Sequence, residues 1–247
     1  MRAMQPRFYL ATSKTTGITR DELAHIASWI DADPHYTRPL PTDRPGLVIN
    51  VENMRLFAPG RKPAPWHPGM AHWRLRRPSD RLPEIMGVEP GHTVVDATLG
   101  MGHDALLLAR AGARVLGLER QAPILFYTLD GMYHYRPDLA RNIHGMNAEH
   151  RDWLTRAQSD SVDHVFFDPM FPVDKGGASD TWTTLRTVAR PGPRLPASVL
   201  LDAVRVARRS VCMKLAPLEP APVIEGAPPM RVDGSKRLHF AVWDLTA

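Results

Sequence analysis

The chain has one cysteine, Cys212, in 247 residues, which excludes an intrachain disulfide framework and suits a reducing compartment. No apolar run approaches the roughly 18 residues that a membrane helix needs. The segment Met1-Arg2-Ala3-Met4-Gln5-Pro6 lacks the apolar stretch of a secretory signal. The expectation is a cytoplasmic protein without membrane association. The 11 histidines form neither a His-Glu-x-x-His pair nor Cys/His spacings, so no structural or catalytic metal is expected. Internal repeats are absent, and the proline clusters near 39–45, 191–196 and 217–229 read as loops. Cys212 sits in an apolar run and reads as a small core residue rather than a nucleophile.

What is present fits one sizeable core with an appended unit, since 43% of the residues are hydrophobic. The net charge of +5, with a pI near 9.6, favours phosphate-bearing partners. Residues 1–80 read as an α+β extension and 81–247 as the main domain. In the extension, Phe8-Tyr9-Leu10-Ala11 is strand-like, and Thr19 with Glu22 predicts a capped helix, stopped by Asp33-Pro34. The runs Leu47 to Val51 and Met54 to Phe57 predict a hairpin around Glu52-Asn53.

From Pro90-Gly91 onward, strand and helix patterns alternate. Strands are expected at Thr93 to Asp96, Arg114 to Glu119, Ile143 to Met146, Val162 to Asp168 and Val211 to Leu215. Helices are expected at Asp104 to Ala111, Pro123 to Tyr133, Arg151 to Arg156 and Ala197 to Arg208. The alternation predicts βαβ units and a mostly parallel sheet. Met230-Arg231-Val232, a turn at Asp233 to Lys236, and Leu238 to Trp243 predict a closing antiparallel hairpin. The fold class is therefore α/β and Rossmann-like, a seven-stranded sheet of the kind associated with class I methyltransferases.

Two apolar runs end in a carboxylate at a turn: Val94-Val95-Asp96-Ala97-Thr98-Leu99-Gly100-Met101-Gly102-His103-Asp104 and Val165-Phe166-Phe167-Asp168-Pro169-Met170-Phe171-Pro172. Buried parallel strands deliver polar groups to a ligand crevice in this way. Gly100 and Gly102 allow a sharp turn and close approach of a ligand to the backbone. Taken alone, such a turn is a weak signal, since an ordinary strand-to-helix loop is its alternative. Glu119, ending the next strand about 20 positions on, favours a ribose whose hydroxyls it accepts. Dinucleotide enzymes share that geometry, but the three-glycine fingerprint is missing. S-adenosylmethionine has no phosphate to cradle and needs carboxylates for its ammonium group, a pocket for adenine and an oriented sulfonium. Asp96, Asp104, Glu119 and Asn147-Ala148-Glu149-His150 are the candidates to supply these.

The run Gly69-Met70-Ala71-His72-Trp73-Arg74, the Asp96 and Glu119 turns and Asp168-Pro169-Met170-Phe171-Pro172 together resemble the RsmJ-type family over roughly residues 65–215. The first 60 residues look closer to uncharacterised relatives. The resemblance implies S-adenosylmethionine as cofactor and methylation of the exocyclic N2 of a guanine in small-subunit ribosomal RNA. It places cofactor contacts on His103, Asp104, Glu119, Arg120, Glu149, His150 and Asp168. Asp168 and the Pro169 carbonyl would accept the hydrogens of the amine, while Phe171 stacks on the base. Asp-Pro-Met-Phe is similar to the Asn/Asp-Pro-Pro-Tyr/Phe motif of amino-methylating enzymes. Arg61, Lys62, Arg74, Arg76, Arg77 and Arg81, interleaved with Trp66 and Trp73, read as an RNA-binding set or as a solvated arginine face. The competing functions are methylation of a small molecule or protein side chain, and non-catalytic RNA binding.

Overall fold

Strand pairing divides the chain between two sheets in the computed structural model, which describes residues 8–13, 16–36, 39–169, 184–185, 188–189, 195–216, 219–224, 229, 231–235 and 238–246. The first has the order β2-β1-β3-β4-β5, built from β1 (Phe8–Thr12), β2 (Ala32–His35), β3 (Gly46–Ile49), β4 (Met54–Phe57) and β5 (Ala64–Pro65). Helix α1 (Arg20–Trp29) makes the crossover between the parallel strands β1 and β2. Its start is the expected capping box: Thr19 Oγ1 accepts from the Glu22 amide at 3.2 Å, and Glu22 Oε2 accepts from the Thr19 amide at 2.8 Å.

Its end differs from expectation. The helix stops at Trp29, and Asp31 turns the chain in the left-handed region, with φ of 50°. Asp33 and Pro34 are then strand residues rather than a helix stop. β2 is the sheet edge, where a proline without an N–H is tolerated. The β3–β4 hairpin forms as expected, closed by the Asn50 amide on the Asn53 carbonyl at 3.1 Å.

The second sheet has the order β11-β12-β10-β9-β6-β7-β8. Its strands are β6 (Thr93–Asp96), β7 (Arg114–Glu119), β8 (Ile143–Asn147), β9 (Val162–Phe167), β10 (Ala207–Leu215), β11 (Arg231–Ser235) and β12 (Leu238–Asp244). The five strands β6 to β10 run parallel, and β11 and β12 form the antiparallel hairpin that closes the sheet. This is the expected Rossmann-like methyltransferase architecture. The helices are α2 (Ala71–Arg74), α3 (Arg81–Met86), α4 (His103–Arg110), α5 (Ala122–Tyr135), α6 (Pro137–Ala140), α7 (His150–Arg156) and α8 (Ala197–Val206).

Two boundaries shift. α8 ends at Val206 rather than 208, because the chain enters β10 directly at Ala207, with a register irregularity before Ser210. β11 continues through Asp233, Gly234 and Ser235, since their pairing with β12 extends to Ser235 opposite Leu238. Those three residues belong to the strand rather than to the expected turn, and Lys236 lies outside the described residues.

One cluster of buried side chains runs from Leu10 and Leu56 of the first sheet through Trp66, Leu82 and the α4 residue Leu106 to Phe166 of the second. A second cluster, with Val95, Phe167, Leu200 and Trp243, fills the other face of the large sheet. Helix α5 serves both sheets. Asp130 Oδ2 accepts from the Met54 amide at 3.0 Å, and the Trp66 ring lies so close to Gly131 that a Cβ there would meet Trp66 Cγ at 2.1 Å. Gly131→Ala should therefore cost about 1–3 kcal/mol, read as a lower denaturant midpoint with an unchanged m-value.

No helix among the described residues is long and apolar enough to cross a membrane. Nor do the described residues hold a group of three or more His, Cys, Asp or Glu suited to a metal ion.

Candidate active site

The strand order reverses between β6 and β9, which are hydrogen-bonded neighbours although β7 and β8 lie between them in the chain. Such a switch point leaves a crevice at the carboxyl ends of the strands. Asp96 is the last residue of β6, and Asp168 follows the last residue of β9. Both carboxylates thus stand at the same rim. The two turns are tied together: the Asp168 amide donates to Thr98 Oγ1 at 2.6 Å, and the Ala97 amide donates to the Phe166 carbonyl at 2.9 Å.

The loop from β6 to α4 is tightly determined. Asp96 Oδ1 accepts from the Thr98 amide at 3.2 Å, and the Gly102 amide donates to the Leu99 carbonyl at 2.7 Å. Thr128 Oγ1, from α5, donates to the Gly100 carbonyl at 2.6 Å. Gly102 has φ of +67°, and a Cβ there would stand 2.3 Å from Met132 Sδ. Backbone strain and lack of space both select glycine at that position.

Behind the rim lies a chain of buried charges. Arg74 of α2 donates through Nε and Nη2 to both oxygens of Asp80, at 2.9 and 2.7 Å, and through Nη1 to Asp104 Oδ1 at 2.8 Å. Lys214 Nζ donates to Asp104 Oδ2 and to Asp168 Oδ2, the latter at 2.7 Å. Burial opposes ionisation of Asp104, yet the Lys214 and Arg74 cations hold its carboxyl well below the usual carboxylate range. Burial pushes Asp168 up to about 6, reinforced by Asp104 and opposed by Lys214. Asp96 is pushed up to about 8 by burial and by the charge of Asp104.

Four carboxyl groups therefore face two cations, Arg74 and Lys214. With Asp96 protonated near neutral pH, a net negative charge remains in a water-poor crevice. That environment suits a cationic ligand and disfavours a phosphate.

Glu119 ends β7 on the other side of the glycine turn. Its Oε1 accepts from the Gln121 amide at 2.8 Å, and burial pushes its carboxyl up to about 7. Asn147 Nδ2 donates to the Glu119 carbonyl at 2.9 Å, joining the ends of β7 and β8. Glu149 Oε1 lies 3.0 Å from His150 Nδ1, and the His150 ring meets Phe167 edge-on at 6.1 Å. Burial lowers the His150 pKa.

The structure thus gathers Asp96, Gly100, Gly102, Asp104 and Asp168 at the switch point, with Glu119, Glu149 and His150 along the neighbouring strand ends. His103 and Arg120 point to other partners. His103 Nε2 donates to the His67 carbonyl at 2.8 Å and its ring abuts Trp66, while Arg120 Nη2 donates to the Ala189 carbonyl at 3.1 Å. Pro169 follows Asp168 at the rim, and Phe171 lies outside the described residues.

Two members of the expected RNA-binding set are turned inward. The Arg74 fork is consumed by Asp80 and Asp104, and buried Trp66 donates from Nε1 to the Met101 carbonyl at 3.1 Å. Lys214 belongs to none of the sequence motifs. Its signal is a lone charge inside the apolar run Val211-Cys212-Met213-Lys214-Leu215, since lysine is almost never fully buried without a partner.

An open cleft of about 730 Å³ is lined by Met146, Glu149, Asp152, Trp153, Arg156 and Ser161. It adjoins the β8–α7 loop, so that Asn147, Ala148 and Glu149 belong to its lining, whereas Asp96 and Asp168 do not.

Comparison with known proteins agrees with this fold. Residues 72–244 match the family model of SAM-dependent methyltransferases. The ribosomal RNA small subunit methyltransferase J of Alkalilimnicola ehrlichii is 30% identical over 77% of this chain and 76% of its own. That of Halorhodospira halophila is 32% identical over 69% and 66%. The uncharacterised protein YpiP of Bacillus subtilis is 29% identical over 70% and 71%. A solved SAM-dependent methyltransferase from Neisseria gonorrhoeae superposes with a TM-score of 0.70 at 20% identity, covering 96% of this chain and 95% of the other.

Proposed function

Because the chain belongs to this SAM-dependent methyltransferase family, we propose that its acceptor is small-subunit ribosomal RNA, methylated at the exocyclic N2 of a guanine. The observation that carries the reading is the placement of Asp168-Pro169 at the switch point, tied through Thr98 to the loop that opens at Asp96. The relatives named as small-subunit ribosomal RNA methyltransferases supply the acceptor class.

The residues present fit the cofactor. The net negative charge that Asp80, Asp104 and Asp168 keep against Arg74 and Lys214 suits its cationic methionine end, and Glu119 is placed to accept from a ribose diol. Gly100, where a Cβ would meet only the Thr98 carbonyl at 3.7 Å, leaves the loop backbone open, while Gly102 packs against Met132 and Thr128 of α5; His103, Arg120, Glu149 and His150 stand at the loop's borders. When bound, S-adenosylmethionine supplies an electrophilic methyl group that carries its own leaving group.

The chain's own task is then mainly positioning. A guanine N2 is a weak nucleophile because its lone pair is delocalised into the ring. Asp168 and the Pro169 carbonyl accept its two hydrogens and favour a pyramidal nitrogen. The Asp168 carboxylate receives the proton that the nitrogen loses. The resemblance assigns Phe171 to stack on the base face.

Residues 1–80 add a surface for the rest of the RNA. The turn that sends Arg74 inward leaves Met70 and Trp73 exposed at 67% and 59%, with the Arg76 guanidinium 5.5 Å from the Trp73 ring centre and Arg77 exposed beside it. Arg61 and Lys62 are exposed as well, as is Arg81 at the start of the main domain. Aromatic and basic groups together suit unpaired bases and their phosphates. Arg76→Glu with Arg77→Glu should weaken RNA binding and lower the salt slope by about one for each phosphate no longer neutralised. Filter binding across a salt series reads this, and unchanged affinity would remove the surface from the account.

Transfer of tritium from labelled cofactor tests the acceptor. The expected product is small-subunit ribosomal RNA carrying label on N2 of one guanine. Label confined to metabolites or protein, or no transfer by folded and cofactor-binding protein, would overturn the RNA reading.

A further inference from the structure

Lys214 lies within β10 between buried Met213 and Leu215. Its ammonium joins Asp104, at the start of α4, to Asp168, at the end of β9, and stands 5.7 Å from the Phe166 ring centre. Burying such a charge costs several kcal/mol, and a well-packed apolar residue often stabilises a fold as well or better. Stability alone is thus a weak reason for a lysine here. An apolar side chain cannot hold two facing carboxylates at one point. Without a cation between them, Asp104 and Asp168 repel, and one takes up a proton.

We propose that Lys214 is a positioning residue of methyl transfer, whose ammonium fixes the aim of the Asp168 carboxylate and keeps it able to accept from the substrate amine. This rests on the reading that Asp168 meets that amine. As the nitrogen–carbon bond forms, the carbon–sulfur bond breaks with its electron pair left on sulfur. The methylated nitrogen then gives up one proton to Asp168. That proton has a destination only if Asp168 enters the step ionised. The groups that face Asp168 set its charge: Lys214 from β10 favours ionisation, Asp104 from α4 opposes it, Asp96 from β6 is protonated near neutral pH and adds no charge, and Arg74 from α2 neutralises Asp104 from behind. Burial raises the Asp168 pKa, and removal of Lys214 would raise it further.

The test compares Lys214→Met and Lys214→Arg with the unaltered full chain. Titration of carboxyl-13C-labelled aspartate by NMR reads Asp168 without any acceptor present. Its midpoint should rise by about 1–3 pH units in Lys214→Met and return most of the way in Lys214→Arg. With ribosomal RNA as acceptor, kcat should fall at least about tenfold in Lys214→Met. The KM for cofactor should change little, and the acidic limb of the pH profile should move to higher pH with the titration. Lys214→Arg should recover part of kcat.

An unmoved Asp168 midpoint in folded Lys214→Met, or a loss of activity that only tracks loss of folded protein, overturns the proposal. If Lys214→Met does not fold, Lys214→Gln carries the same comparison. Should the unaltered chain leave RNA unmethylated, the acceptor reading fails, and the Asp168 titration decides separately for or against Lys214.

Discussion

Replacing Asp168 with alanine should reduce turnover by at least about 100-fold while leaving the dissociation constant for S-adenosylmethionine within about tenfold. Asp168 stands at the rim, with its amide donating to Thr98 Oγ1 of the cofactor loop and its carboxylate accepting from Lys214. An alanine keeps that backbone bond. What disappears is the acceptor for the amine hydrogens and the base for the departing proton. The loss should therefore fall on kcat, with KM for the cofactor nearly constant. Alanine also leaves Lys214 with Asp104 as its sole carboxylate partner of the present two. Thermal unfolding should accompany the kinetics, and Asp168→Asn, which keeps the shape, should show the same fall in kcat. Full turnover in either folded variant would remove the assigned role.

Replacing Glu119 with glutamine should instead weaken cofactor binding by about 10- to 100-fold, the range expected for losing charged acceptance of hydrogen bonds worth roughly 1.5–3 kcal/mol. The pH dependence supplies a second signature. Burial pushes the Glu119 carboxyl up to about 7, while the Gln121 and Gly100 amides favour its ionised form. A ribose diol donates to the carboxylate and binds the ionised form better. Affinity in the unaltered chain should therefore fall as pH drops below about 7, and in Glu119→Gln that dependence should vanish. Calorimetric titration between acid and neutral pH measures both effects. A glutamine variant with undiminished affinity would place the ribose elsewhere.

Much of this site is legible in the sequence because it is written locally. The alternation of strand and helix after Pro90, the glycine turn at Gly100 and Gly102, and a carboxylate at each strand end are short-range patterns. The structure places Asp96, Asp104 and Asp168 at a strand-order reversal accordingly. The charges behind them are not local. Lys214 meets Asp104 across 110 positions and Asp168 across 46, and Arg74 reaches Asp104 across 30.

From the sequence, Arg74 belongs with Arg76 and Arg77 as part of a basic face. The backbone turn at 71–77 separates them, sending one guanidinium into the core and leaving the others outside. The stop of α1 shows the same limit. Asp33-Pro34 punctuates the sequence, but pairing of β2 beside β1 decided the outcome, and an edge strand has no use for the missing N–H.

A structure determined with S-adenosylmethionine bound tests the central claim most directly. The account predicts the ribose hydroxyls on Glu119, the adenosine beside the Gly100–Gly102 turn, and the methyl-bearing sulfur facing Asp168 across the β6–β9 switch point. A cofactor seated in the cleft lined by Trp153 and Arg156, with Asp168 out of reach of its methyl group, would contradict it.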